Sequence, residues 1–197
     1  YGADVVMVDI NKDVLEKSAA EIAEKYGVKT YAYAVDISNF EDCEKFFADV
    51  NEKIGVVDVL ANCAGITVAK HMIDLTPNEW ERVINVNLRG IWCLSQLFAK
   101  QLKASDKKKG NIVSISSKIG ESANGVYSVS KAGINSLTQV LGLEYAEYGI
   151  SVSAVCPGYV NTEMVQEVFQ KRSLVEGKTP EEYEKELTSG VAMGLSL

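Results

Sequence analysis

Two side chains able to move a proton stand four residues apart in Tyr127-Ser128-Val129-Ser130-Lys131. Positions i and i+4 share one face of a helix, so this spacing sets a phenol beside an ammonium. A free phenol has a pKa of about 10, too high for a base near neutrality, and a nearby ammonium favours its ionised form. Such a pair is also common surface decoration, so the residues upstream matter. Ile112-Val113-Ser114-Ile115-Ser116-Ser117 reads as a buried strand whose end delivers hydroxyls to the same region.

Three further strand ends carry polar or small residues. Val5-Val6-Met7-Val8 ends in Asp9, where a carboxylate can accept hydrogen bonds from two ribose hydroxyls and repel the extra phosphate of NADP. Asp9 can equally begin the turn into the helix after Asn11. Val35-Asp36-Ile37-Ser38 and Asn62-Cys63-Ala64-Gly65 close the next two strands, with Asp36 readable as a turn former and Gly65 as a turn glycine. Ligands of open parallel sheets bind beyond the carboxyl ends of the strands, so these ends point to one crevice.

The elements that must position these residues follow from changes in apolar period. Residues 4–10, 29–35, 57–63, 111–116 and 151–156 read as strands, and 12–26, 41–54, 80–103 and 126–148 as helices. Their alternation predicts a parallel sheet covered by helices on both faces. Ser38 with Glu41, Thr76 with Glu79 and Thr179 with Glu182 fit capping boxes, the last two with Pro77 and Pro180 at the first helical position. Residues 83–102 are apolar on more than one helical face, which calls for burial on two sides, within the domain or against a second subunit. From Glu163 onward the chain is charged and helical without a following strand, which suits a substrate lid.

A chain of 197 residues with 47% hydrophobic content suits one globular domain with a sizeable core. Its formal net charge of -7 opposes attraction to nucleic acid or anionic lipid. The basic cluster Lys107-Lys108-Lys109 is short and reads as a solvated loop. No apolar run is long enough to span a bilayer and no leader opens the chain, so a cytoplasmic protein is expected. Cys43, Cys63, Cys93 and Cys156 lie apart in apolar stretches and are expected to be buried free thiols. With His71 as the single histidine, no metal site is expected.

Taken in order, these segments resemble the short-chain dehydrogenase/reductase family across nearly all of the chain. Its marks are an acid after the second strand, Asp-plus-apolar after the third, Asn-Asn-Ala-Gly after the fourth, and Ser with Tyr-x-x-x-Lys. The resemblance implies a Rossmann-like α/β fold, a doubly wound parallel sheet in a three-layer α/β/α arrangement. It implies that Asp9 binds a ribose, that Asp36 and Ile37 contact adenine, and that Asn62, Ala64 and Gly65 support the cofactor ribose. Pro157-Gly158-Tyr159-Val160-Asn161-Thr162 is similar to the segment holding the nicotinamide amide, which makes Pro157, Gly158, Val160 and Thr162 cofactor residues. Asn87, in Asn85-Val86-Asn87, matches the helix asparagine of a water and lysine relay; an amide serving the backbone of an apolar helix is the plainer reading of that residue.

The activity so implied is NAD(H)-dependent interconversion of a secondary alcohol and a ketone. Tyr127 is the acid or base, Lys131 and the oxidised nicotinamide lower its pKa, Ser117 in preference to Ser116 orients the substrate oxygen, and Asn87 completes the site. Asp9, Ser117-Lys118-Ile119-Gly120 and the long segment after Thr162 look nearest to polyol, sugar-alcohol or diol dehydrogenases. An NADPH-dependent 3-oxoacyl-thioester reductase and a catalytically silent cofactor-binding scaffold are the alternatives. Ile119, Glu121 and Tyr159 are expected to shape the pocket, and residues 83–102 and 126–148 to pair subunits into a homodimer or homotetramer.

Three departures from the pattern stand out. Cys63 replaces the second asparagine of the usual pair, and the loop from Lys118 to Val126 is shorter than is common. The family's first strand with its glycine-rich pyrophosphate turn and its last strand are both missing from the sequence. That first strand belongs between the strands ending at Asp9 and Cys63, where its loss leaves two unpaired edges, so the chain is expected to be part of a longer protein.

Overall fold

A computed structural model describes residues 2–107, 109–118, 125–158 and 160–189, with the side chain of Leu187 left aside. Ile119, Glu121, Tyr159 and the end of the proposed lid lie outside the described residues. Five strands alternate with helices: β1 Val5–Asp9, α1 Lys12–Tyr26, β2 Thr30–Ala34, α2 Phe40–Lys53, β3 Val59–Asn62, α3 Pro77–Ile84, α4 Ile91–Lys103, β4 Gly110–Ile115, α5 Gly125–Tyr145 and β5 Ile150–Val155. Helices α6 Glu163–Glu176 and α7 Pro180–Thr188 complete the order. A π-helical segment, Asn85–Gly90, joins α3 to α4.

All the strands run parallel, in two sheets. β1 pairs with β2, placing Asp9 opposite Ala34. β3, β4 and β5 form the second sheet, with Asn62 opposite Ser114 and Ile115 opposite Val155. Among the described residues no ladder joins β1 to β3. The division falls where the resemblance puts the strand carrying the glycine-rich turn. Because the strands are parallel, every carboxyl end opens on the same edge.

Strand alternation decides which helix each sheet face receives. On β2, Thr30 donates its hydroxyl to the Ala19 carbonyl of α1 at 3.0 Å, whereas Tyr33 points the other way, donating to Asp49 of α2 at 2.8 Å and stacking edge-on against Phe46. The two helices therefore cover opposite faces of the β1–β2 sheet. One core runs beneath both sheets, with Cys43, Phe47 and Val50 of α2, Phe98 and Leu102 of α4, Ile112, Ile150 and Leu141. The opposite face of β3–β5 turns outward at Val59, Ala61, Ser153 and Val155.

Helix starts follow side-chain chemistry, with one correction. Thr76 and Thr179 close full capping boxes with Glu79 and Glu182. Ser38 does not cap α2: Asn39 does, its amide oxygen accepting from the Glu41 and Asp42 N–H groups. The Ser38 hydroxyl instead donates to Asp36 Oδ1 at 2.7 Å, since a carboxylate is the stronger acceptor. The cysteines also divide: all four are free, but only Cys43 and Cys93 are buried, while Cys63 and Cys156 lie exposed just past β3 and β5.

Candidate active site

The last residues of β4 are held against β5 beyond the regular ladder. Ser116 N–H donates to the Val155 carbonyl at 2.8 Å and Lys118 N–H to the Pro157 carbonyl at 2.9 Å. Ser117 and the Pro157-Gly158 backbone are thereby brought to one place. The two serines then part company. Ser116 is buried and donates its hydroxyl to the Lys131 carbonyl at 2.9 Å, pinning β4 to α5, whereas the Ser117 side chain hydrogen-bonds the Tyr127 phenol.

Lys131 is 3% exposed and its Nζ donates to the Ile115 carbonyl at 2.6 Å, 5.5 Å from the centre of the Tyr127 ring. Burial pushes its pKa down to about 8, with Cys63 acting weakly in the other direction. The sequence leads one to expect Lys131 to depress the Tyr127 pKa. In the protein alone the reverse holds: burial raises the phenol above its ordinary value, and the Ser117 hydrogen bond opposes that rise without cancelling it. Removing a phenolate from water costs more than the neighbouring hydroxyl returns.

Asn87 is fully buried in the π segment. Its Oδ1 accepts from Ile66 N–H at 2.8 Å, while its Nδ2 donates to the Ile66 carbonyl at 2.9 Å and to Ser130 Oγ at 3.0 Å. The plainer reading of this residue is thus what its amide does, with a consequence for the site: the loop after β3 is tied to the helix of Tyr127 and Lys131. Ser130 completes the tie by donating to the Tyr127 carbonyl at 2.7 Å. Sequence reading missed Ser130, whose one visible sign was its place between Tyr127 and Lys131. Gly90 lets the π segment sit here, because a Cβ at that position would lie 2.7 Å from the Ile37 carbonyl.

The other expected residues gather along the same edge but engage it less deeply. Asp9 is exposed and accepts from Asn11 N–H at 2.8 Å, forming the turn into α1. Asp36 is exposed and takes both the N–H and the hydroxyl of Ser38, while Ile37 beside it is buried. Asn62 points away from the crevice, donating to Ser95 and Ser114 at 3.3 and 3.2 Å, and its buried Oδ1 has no partner among the described residues. Ala64 is exposed; a Cβ on the next residue, Gly65, would stand 3.5 Å from Lys131 Nζ and 3.7 Å from Asn87 Oδ1. Pro157 is half-buried, Val160 is exposed, and Thr162 caps α6 by accepting from Val165 N–H. A Cβ on Gly158 would meet nothing within 4 Å among the described residues, which leaves that backbone open to close approach on their side.

An edge of this kind could hold an extended dinucleotide along its length. Exposed carboxylates end the outer strands, small residues open the centre, and the phenol, ammonium and hydroxyl stand on the far side.

Comparison with known proteins agrees. A family model described as short chain dehydrogenase matches residues 1–173. An acetoacetyl-CoA reductase from Paracoccus denitrificans is 37% identical over 171 residues, 84% of this chain and 68% of that protein. An NAD-dependent glycerol dehydrogenase from Listeria innocua is 35% identical over 164 residues, 83% of this chain and 63% of that protein. The crystal structure of sorbitol-6-phosphate 2-dehydrogenase from Erwinia amylovora superposes with a TM-score of 0.88 at 30% identity, covering 98% of this chain and 77% of the other.

Proposed function

Because the chain belongs to the short-chain dehydrogenase family and is an oxidoreductase of CH-OH groups, we propose that it interconverts a secondary alcohol and a ketone with NAD(H), on a polyol, sugar alcohol or diol. The observation that carries the reading is the Tyr127 phenol hydrogen-bonded to Ser117 with the buried Lys131 ammonium 5.5 Å from its ring. Bound nicotinamide would supply the two-electron transfer. Asp9, Asp36 and Ile37 would hold the adenosine side, Asn62, Ala64 and Gly65 the loop beneath the central ribose, and Pro157, Gly158, Val160 and Thr162 the nicotinamide side.

In reduction, Tyr127 Oη gives its proton to the substrate oxygen as carbonyl becomes hydroxyl; in oxidation the phenolate takes it back. Ser117 Oγ donates to the same oxygen and fixes its place. Lys131, still largely protonated at neutrality with a pKa near 8, stabilises the phenolate left after transfer. Asn87 acts by holding the Ile66 loop and, through Ser130, the backbone of Tyr127.

Exposed Trp92, Val129, Val140 and Leu143 on α4 and α5 support pairing of these helices across a homodimer or homotetramer. Four free cysteines fit a reducing compartment such as the cytoplasm, and α6 with α7 would form the substrate lid. The test is Tyr127→Phe in the complete protein with NAD and a panel of polyols. Turnover is expected to vanish while NADH binding persists, and near-wild-type turnover by a folded variant overturns the assignment.

A second reading, an NADPH-dependent 3-oxoacyl-thioester reductase, is favoured by the likeness to an acetoacetyl-CoA reductase. Initial rates with the two cofactors separate the readings, since a strong NADPH preference contradicts the role given to Asp9.

A further inference from the structure

Helix α6 buries Phe169, Arg172 and Ser173 on one face, at 1%, 5% and 0% exposure. Phe169 meets Tyr183 of α7 edge-on at 6.1 Å, so this stripe is the helix's core-facing side. Arg172 is out of place on it. A guanidinium stays charged in proteins, and burying it without a carboxylate costs several kcal/mol by order of magnitude.

Among the described residues no ion pair or side-chain hydrogen bond involves Arg172. The acids within reach of its sequence neighbourhood are used elsewhere: Glu167 pairs with Lys171 and Glu176 with Lys178. On α3, Glu79 is held by Lys70 at 2.7 Å and by Thr76, which keep its carboxyl at about 2.

The guanidinium is directed to the start of the catalytic helix. A Cβ on Gly125 would lie 3.5 Å from Arg172 Nη2, 3.4 Å from the Lys70 carbonyl and 3.8 Å from Met72 Sδ. Gly125 has φ +61°, a backbone that favours glycine, and stands two residues before Tyr127. Three segments meet there, α6, the loop after β3 and the first turn of α5, the turn that also carries Tyr127.

We propose that Arg172 is the anchor for an anionic group on the substrate, a phosphate or a carboxylate a few carbon atoms from the reacting carbon. The inference rests on the alcohol–ketone reading above and narrows its substrate class to acidic polyols or hydroxy acids. A guanidinium presents its donors in a planar fork that matches both groups, and the surrounding burial strengthens the pairing. The charge on α6 that has no partner among the described residues is then accounted for by the substrate.

The test uses the complete protein and its Arg172→Gln and Arg172→Lys variants. Initial rates are measured with a neutral polyol, the same polyol as its phosphate monoester, and a hydroxy acid of similar length. Arg172→Gln is expected to raise KM for the anionic substrate by roughly 30-fold, the loss of one charge-assisted contact, with kcat and the neutral-substrate KM nearly unchanged. Arg172→Lys should recover part of the loss. The glutamine variant should also melt no lower than wild type without anion, since it removes a buried charge, whereas a purely structural arginine would lower the melting temperature and impair all substrates alike.

Preference for the phosphate ester identifies phosphate as the partner, and preference for the hydroxy acid identifies carboxylate; equal losses on neutral and anionic substrates, or none, overturn the proposal. Should wild type turn over none of these alcohols, the alcohol–ketone reading fails, and calorimetric titration with inorganic phosphate and with acetate decides Arg172 by itself. Saturable binding of either anion that Arg172→Gln abolishes supports the anchor, and binding unchanged by the variant, or absent from wild type, refutes it.

Discussion

The edge of the β3–β4–β5 sheet and the edge of the β1–β2 sheet carry the same kinds of polar residue and use them differently. On the first, Asn87, Ser116 and Lys131 are buried and each binds a backbone group on another element, while buried Ser130 accepts from Asn87 and donates to the Tyr127 carbonyl of its own helix. On the second, Asp9 and Asp36 are exposed and accept from residues two positions away. A polar group in the interior must find a partner, and doing so fixes the geometry around it; a carboxylate at the surface can turn the chain and still meet a ligand. The same buried contacts that orient Tyr127 therefore also stabilise the fold, whereas the cofactor recognition proposed for Asp9 is separable from it.

The sharpest way to break that contrast is Lys131→Met. Loss of the ammonium beside the phenol should lower kcat by about 10²- to 10⁴-fold, the range of acid–base assistance. Its effect on stability should depend on pH. Between pH 8 and 10.5 the unfolded chain keeps a proton on this lysine that the folded chain has released, so the group's contribution to stability rises across that window and is lost as pH falls through about 8. The shift corresponds to about 3 kcal/mol. Denaturant titrations of both proteins from pH 7 to 10 should show wild type gaining on the variant, and a constant gap would mean Lys131 is not held as described.

Ser117→Ala comes next. Removing one oriented donor from the reacting oxygen is expected to cost about 10²-fold in kcat, with little change in melting temperature. Ser116→Ala should do the opposite, because its hydroxyl binds the Lys131 carbonyl and faces no crevice. A kcat loss confined to Ser116→Ala would exchange the two roles.

Asn87→Ala should touch both properties. Truncation leaves the N–H and carbonyl of Ile66 without their partners in a site where Asn87 is 0% exposed. Unsatisfied groups of this kind cost about 1–3 kcal/mol each, so urea unfolding should register a loss of at least ~2 kcal/mol, with a smaller kcat defect than that of Lys131→Met. A variant as stable as wild type would show that the Ile66 tie carries little.

What the sequence made legible follows the same division. Strand and helix positions came from periodicity and capping, and Tyr127 with Lys131 from a spacing that any helix enforces. Ser130 and Ile66 were not legible because their link to Asn87 spans 43 and 21 residues and depends on the π segment, which apolar period does not reveal. Arg172 read as one more charge on a polar helix, since only packing shows that it faces inward. Ser38 misled because two residues competed to cap α2 and the nearby Asp36 removed one of them. The rise in the Tyr127 pKa was likewise missed: burial is a property of the assembled fold, whereas the ammonium's influence can be read from spacing.

The smallest expected effect tests the comparison from its exposed side. Asp9→Asn keeps an oxygen able to accept from Asn11 N–H, so the turn into α1 survives and stability should change by less than about 0.5 kcal/mol. What disappears is the negative charge that would repel the 2′-phosphate of NADP. At the surface such a repulsion is worth about 1 kcal/mol, so the ratio of kcat/KM for NADH over NADPH should fall by roughly tenfold at most in the complete protein. An unchanged ratio would reduce Asp9 to a turn former. A drop in melting temperature equal to that of Asn87→Ala would show that this edge, too, holds its shape through its polar side chains, and the contrast between the two edges would be lost.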